Sequence, residues 1–168
     1  MTVSIRRADA HDAPALVELA SSVGGEAGGW LISDSTWRSV GDERRYVRAI
    51  RRHPDAAVLV AVLDGAIVGR LSLARDPHPA SHHVADLGLM VSAAHRRRGI
   101  GRALLEAAER WAHDSGVSKL ELHVFPHNES ALSLYVACGY EQEGIRRAHY
   151  RRANGEIVDA ILMAKLLA

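Results

Sequence analysis

The order of hydrophobic and polar residues at the start of the chain predicts a strand followed by two helices. Residues 3–8 are predicted to form a strand, with an N-cap for the next helix at Asp9 or Asp12. Apolar residues with helical spacing then continue up to the glycine-rich residues 24–29, and again over residues 34–52. The first third of the chain is therefore predicted to be β-α-α.

The middle of the chain contains a hairpin, a buried strand and a long helix. Two apolar runs, at residues 56–63 and 66–73, flank Asp64-Gly65, a pair that accepts the positive φ of a two-residue turn. Residues 84–91 read as a third buried strand. Over residues 99–115 the apolar residues recur with the spacing of a helix.

The last third repeats the alternation of strand and helix. Residues 119–125 are predicted to form a strand, and Asn128 is placed to cap a short helix. Residues 140–151 and 157–167 read as a second hairpin. This order predicts one α/β domain over residues 1–168, with a mixed sheet and helices on its faces.

Composition supports one compact domain without a targeting segment. The chain has 168 residues, 48% of them hydrophobic, and its net charge is +1. The single cysteine excludes an internal disulfide, and the first residues lack the apolar run of a signal peptide or a membrane span. We therefore expect a soluble cytoplasmic protein with no membrane partner.

Metal and nucleic-acid binding are both disfavoured. Ten histidines are present, but neither HExxH nor paired Cys/His clusters occur, so we expect no metal. Two arginine-rich stretches, RRRGIGR and RRAHYRR, are of the kind that contacts nucleic acid. A near-neutral charge and 5% aromatic residues argue against that partner.

The segment between the strand at 84–91 and the helix at 99–115 is a candidate anion site. Gly99 and Gly101 stand where the helix begins, and the amide groups of a helix N-terminus attract negative charge. The segment is neither a P-loop nor GxGxxG. Taken alone, it is equally typical of a glycine-assisted loop with solvated arginines.

Residues 85–140 resemble the core of the GNAT family of acetyl-CoA-dependent N-acyltransferases. The family signature Q/R-x-x-G-x-G/A is matched by residues 96–101, RRRGIG. An Asn seven residues before a Tyr is matched by Asn128 and Tyr135, and a typical ending is matched by CGY at 138–140. The tail resembles members that acetylate a ribosomal protein N-terminus. The resemblance implies a mostly antiparallel mixed sheet, splayed at its centre, with helices on both faces.

The resemblance also implies how acetyl-CoA binds. Its pyrophosphate would lie on the amides of the signature loop, and its pantetheine arm would pair with the end of the preceding strand, which must splay from residues 121–125. The residues this assigns to acetyl-CoA are Leu89, Met90, Val91, Arg96, Arg97, Arg98, Gly99, Ile100, Gly101, Arg102 and Asn128. Some of these arginines would instead bind the 3′-phosphate of acetyl-CoA, or would only be exposed to solvent without contacting the cofactor.

Transfer to an amine needs a proton acceptor, because an alkylammonium has a pKa near 10. Two residues compete for this role. Asp86 lies on the strand that leads to the cofactor loop, where many family members keep a carboxylate base. His123 lies on the neighbouring strand, where the ribosomal-protein enzymes carry a glutamate. Each also has a purely structural interpretation.

A departing thiolate needs a proton donor, and Tyr135 matches the residue that serves this purpose in the family. Cys138 falls on the buried stripe of the same helix and is interpreted as a core residue. No acyl-enzyme is required if the amine attacks the thioester directly in a ternary complex.

The resemblance implies that the acceptor pocket is built from two segments, residues 24–37 and about residues 146–154 of the last hairpin. Glu26, Trp30 and Asp34 in the glycine-rich stretch would hold a cationic amine. The basic run of Arg146, Arg147, Arg151 and Arg152 suits an acceptor that also carries a carboxylate or a phosphate.

The leading interpretation is an acetyltransferase acting on a primary amine of a small molecule or a protein N-terminus. A non-catalytic CoA-binding regulatory module is the alternative. This fold also allows a homodimer through the final hairpin.

Overall fold

The computed structural model describes residues 2–33 and 37–168, in which seven strands form a single sheet. The strands are β1 (Ser4–Arg7), β2 (Ala56–Leu63), β3 (Ala66–Arg75), β4 (Val84–Val91), β5 (Lys119–Val124), β6 (Glu141–Arg151) and β7 (Ile157–Leu166). The helices are α1 (Ala13–Gly24), α2 (Val40–Arg52), α3 (Ile100–Ser115) and α4 (Glu129–Ala137). Within the described ranges, no helix has both the length and the apolar character that a membrane span needs.

The sheet is antiparallel except at its centre. Its order is β1-β2-β3-β4-β5-β7-β6, and β4 and β5 form the parallel pair. Their pairing begins at Val84 opposite Lys119 and stops at Asp86 opposite Glu121. Because β4 stays paired with β3 as far as Val91, and β5 with β7 as far as Val124, a gap opens between them. The predicted splay at the centre of the sheet is confirmed.

Helices cover both faces of the sheet, as predicted. The alternation of β2 shows the two faces, because Leu59 packs with α3 in the main core whereas Val60 packs with Leu16 of α1 and Val47 of α2. Helices α3 and α4 lie on the first face, which we call the α3 face. Helices α1 and α2 lie on the other, which we call the α1 face.

Local chemistry fixes the ends of the helices that border the gap. Gly99 caps α3 with a φ of 80°, and the side chain of Asn128 caps α4 by accepting from the Ala131 amide at 3.2 Å. The second helix starts later than predicted. It begins at Val40, because the Ser39 side chain accepts from the Asp42 amide and forms its N-cap.

Candidate active site

A cleft of about 1060 Å³ passes through the gap between β4 and β5. Most of the residues predicted from the sequence line it: Asp86, Leu89, Met90, Val91, Arg96, Arg97, Gly99, Ile100, Gly101, Arg102, His123, Asn128 and Tyr135. Arg98 differs, because its side chain is exposed outside the cleft. The cleft thus joins the α3 face to the α1 face.

The loop before α3 has the backbone geometry of an anion site. Arg97 and Gly99 both have positive φ, 63° and 80°. The residues of the first turn of α3 line the cleft, and the first amide groups of a helix have no acceptor within the helix. Gly101 allows α3 to approach α4 closely, because an added Cβ would lie 2.7 Å from Cδ2 of Leu134. Arg97 and Arg102 add positive charge to the same wall.

Arg96 does not point its guanidinium at this loop. It donates two hydrogen bonds to the Glu26 carboxylate, at 2.7 and 2.6 Å, and its Nε donates to the Val91 carbonyl at 3.0 Å. The Arg96 guanidinium holds the pKa of Glu26 below its usual range. Glu26, which the sequence suggested as a residue that holds a cationic amine, thus has its carboxylate already paired with Arg96.

The stretch from residue 25 to 30, which we call the strap, crosses the gap. Trp30 stacks on His127 with ring centroids 5.7 Å apart and donates to Glu26 at 2.9 Å. His127 Nε2 donates to the Gly28 carbonyl at 2.9 Å. The strap therefore links the loop before α3 to the segment after β5. Asp34, the other acceptor residue predicted nearby, lies outside the described residues.

Two carboxylates lie side by side at the point where β4 and β5 separate. Asp86 and Glu121 are register partners, so both side chains occupy the α1 face. The Asp86 side chain is exposed to the open cleft. Desolvation by the protein around the cleft, together with the negative charge of Glu121, raises the pKa of Asp86 to about 6.

His123 lies two residues after Glu121, on the same face. Its Nδ1 forms a 2.6 Å hydrogen bond with the Tyr150 hydroxyl. Partial burial and the nearby Arg146 and His149 lower the pKa of His123, which favours the neutral imidazole. Sequence reasoning missed Tyr150, which reaches His123 from β6. In residues 2–33 and 37–168, no three His, Cys, Asp or Glu side chains lie close enough together to hold a metal ion.

A bulge in β6 places two side chains over this face. Arg146 pairs with Ala160 and Tyr150 with Val158, so residues 147–149 oppose a single residue of β7. Ala148, at the centre of the bulge, has a φ of 51°, and its amide donates to Asp159 at 2.7 Å. Of the predicted basic run, Arg146 lines the cleft, whereas Arg147, Arg151 and Arg152 do not.

Tyr135 approaches the cleft from the α3 face. It is 5% exposed and packs against Tyr140, and burial raises the pKa of its phenol, so the hydroxyl keeps its proton. Asn128 lines the same wall while it caps α4. Cys138 packs against the main core.

A buried ion pair supports the α1 face. Glu43 is 0% and Arg70 3% exposed, and the two side chains are hydrogen-bonded to each other. Arg38 donates to the second Glu43 oxygen at 3.0 Å and stacks on Tyr46. Arg70 reaches the cleft wall, so this network helps to shape the floor of the cleft.

Comparison with known proteins agrees with this fold and cleft. Residues 29–140 match the model of the acetyltransferase (GNAT) family, and the protein belongs to that family. The resemblance predicted from the sequence motifs is confirmed.

Individual relatives are acetyltransferases by name. The L-amino acid N-acetyltransferase AaaT of Escherichia coli is 37% identical over 117 residues, which cover 67% of this chain and 70% of that protein. The ribosomal protein bS18-alanine N-acetyltransferase of the same organism is 38% identical over 76 residues, covering 45% of this chain and 51% of that protein. A GNAT-family acetyltransferase from Streptococcus pneumoniae has a similar structure, with a TM-score of 0.89 and 27% identity, covering 99% of this chain and 100% of that one.

Proposed function

We propose that this protein transfers the acetyl group of acetyl-CoA directly to a primary amine, on a small molecule or a protein N-terminus, within a ternary complex. One observation carries the proposal. The cleft passes through the gap between β4 and β5, with an anion-binding loop and a tyrosine on one face and proton acceptors on the other. The two kinds of acceptor correspond to the names of the two curated relatives.

The donor site fits a thioester with an anionic, extended tail. The loop before α3 presents backbone amides, and Arg97 and Arg102 supply positive charge for phosphate groups. Residues 87–91 of β4 border the gap opposite β5, so their backbone is available to an extended amide-containing chain. The side-chain amide of Asn128 faces the same channel.

The acceptor ammonium must lose a proton before its nitrogen can attack the thioester carbonyl carbon. Asp86 and His123 both face the cleft on the α1 face, and both are unprotonated in a substantial fraction of molecules at neutral pH. Either side chain, directly or through one water, would accept that proton. Tyr150, hydrogen-bonded to His123, orients the imidazole.

When the carbon–sulfur bond breaks, the leaving thiolate takes up a proton. Tyr135 stays protonated in its buried position and lies on the opposite side of the gap from Asp86 and His123. Its hydroxyl would donate that proton. The attacking nitrogen loses its second proton as the amide forms, and a proton taken up through solvent restores the Tyr135 phenol. The amide then holds the acetyl group, and free CoA leaves. No protein nucleophile takes part, and Cys138 has no role.

Calorimetric titration with acetyl-CoA, combined with thiol release over a panel of amines, tests this function. Arg102→Glu reverses a charge at the first turn of α3 and should weaken acetyl-CoA binding by about tenfold or more. Arg110→Glu, on the exposed side of the same helix, is the matched control.

Absence of acetyl-CoA binding in the wild-type protein would exclude the proposal. Binding without thiol release for any amine would instead identify the alternative, a non-catalytic CoA-binding regulatory module.

A further inference from the structure

The arginines that line the cleft differ in whether they have acidic partners. Arg70 is paired with Glu43, and Arg96 with Glu26. Arg97 and Arg102 belong to the loop before α3 and its first turn. The remaining one, Arg146, has no carboxylate within 4 Å among the described residues. Arg146 therefore presents an unpaired guanidinium to the cleft.

Strand register places Arg146 on the reacting side of the sheet. His123 faces Leu162 of β7, and Arg146 faces Ala160, two residues further along the same strand. Residues two apart on a strand point to the same face, so Arg146 and His123 share the α1 face with Asp86. The positive charge of Arg146 also acts on Asp86 and His123 through space.

This side of the cleft therefore has two charged ends. Asp86 and Glu121 supply negative charge where β4 and β5 separate, and Arg146 supplies positive charge from β6. A molecule that carries an ammonium group and a carboxylate on the same carbon atom matches both ends. The guanidinium of arginine binds a carboxylate through two parallel hydrogen bonds, which also fixes its orientation.

We propose that Arg146 is a specificity-determining residue that binds the carboxylate of the acceptor, and that the acceptor is a free α-amino acid. This assignment rests on the proposed acetyl transfer. A peptide N-terminus carries an amide where the amino acid carries its carboxylate, and it would leave the guanidinium without a partner. The apolar cleft residues Leu31, Trp37 and Met90 suit an acceptor with an uncharged side chain.

The test compares free L-amino acids that have uncharged side chains with the C-terminal amides of the same amino acids. Initial rates of CoA release are measured at saturating acetyl-CoA for the wild type, Arg146→Met and Arg151→Met. Arg151 lies on the same strand, is exposed and does not line the cleft, so it serves as the matched control. Alkylamines and a short peptide complete the panel.

The wild type should favour the acids over their amides in kcat/KM. Arg146→Met should raise KM for the acids by about 30-fold with little change in kcat, because the lost contact binds ground state and transition state alike. For the amides, kcat and KM should be the same in Arg146→Met as in the wild type. Arg146→Lys should recover part of the loss, and Arg151→Met should behave as the wild type.

A wild-type preference for amides or peptides would overturn the assignment. This comparison uses only the wild-type protein, so it does not depend on whether the variants fold. Equal losses for acids and amides in Arg146→Met would overturn it as well. In either case acetyl transfer itself would stand. If no amine of any kind releases CoA, the proposed function fails instead.

Discussion

The pH dependence of acetyl transfer distinguishes two kinds of enzyme. One uses its own base to deprotonate a bound ammonium group, and the other binds only the amine that is already unprotonated in solution. With a base in the cleft, the protein binds the ammonium form and removes its proton, so kcat/KM rises as the base ionises and then levels off. The pKa of Asp86 is about 6, and its carboxylate is the form that accepts a proton. The rate should therefore rise with pH and not fall.

The size of this rise follows from the pKa. A group with a pKa of about 6 is about 10% ionised at pH 5 and about 90% at pH 7, so kcat/KM should increase about tenfold over that interval. From pH 7 to 8.5 it should be almost constant for an acceptor whose ammonium pKa is above about 9. Without a base, the same intervals would give increases of about 100-fold and about 30-fold.

The assay is CoA release across pH 5 to 8.5, with Asp86→Asn and His123→Gln compared with the wild type. Loss of the plateau in Asp86→Asn would identify Asp86 as the base. A plateau that survives in Asp86→Asn but disappears in His123→Gln would identify His123. A wild-type profile of constant slope, with no change near pH 6, would refute the reasoning for both residues.

Three further substitutions probe the other parts of the site. Tyr135→Phe should lower kcat by about 10²- to 10⁴-fold, as expected for loss of a general acid, while calorimetry shows unchanged acetyl-CoA affinity; unchanged kcat would exclude the phenol as donor. Gly101→Ala should weaken acetyl-CoA binding by about tenfold, or 1.4 kcal/mol, because its methyl group collides with Leu134. Leu134→Ala should restore binding in the double variant, and failure to do so would mean that another contact fixes this position. Glu43→Ala should lower the free energy of unfolding in urea by about 3–5 kcal/mol, since it leaves the buried Arg70 unpaired. A loss below about 1 kcal/mol would show that solvent reaches Arg70.

Local signals were sufficient to predict most of the elements that frame the cleft. Gly99 and Asn128 mark helix starts by their own chemistry, and the structure has α3 and α4 beginning directly after them. Asp64-Gly65 likewise marks the turn between β2 and β3, where both residues have positive φ. Each signal acts within a few residues, so it is readable without knowledge of the tertiary fold.

Contacts between distant segments were not predictable in this way. Glu26 and Arg96 are 70 residues apart, and no local pattern shows that they are paired. Tyr150 reaches His123 because a bulge shifts the register of β6, and sequence alternation alone does not reveal an inserted residue pair. Arg70 lies between apolar residues in the middle of β3, but its partner Glu43 lies on a separate helix.

In the proposed function, the gap between β4 and β5 divides donor and acceptor between opposite faces of one sheet. The loop before α3, together with α4, lies on the donor side, and the β6 residues Arg146 and Tyr150 lie on the acceptor side. The matched family region ends at residue 140, directly before β6 begins at Glu141. On this proposal, substitutions in the final hairpin should change which amine is accepted while the thioester site keeps its shape. Acceptor choice and donor binding would then be separately adjustable, in evolution and in enzyme engineering.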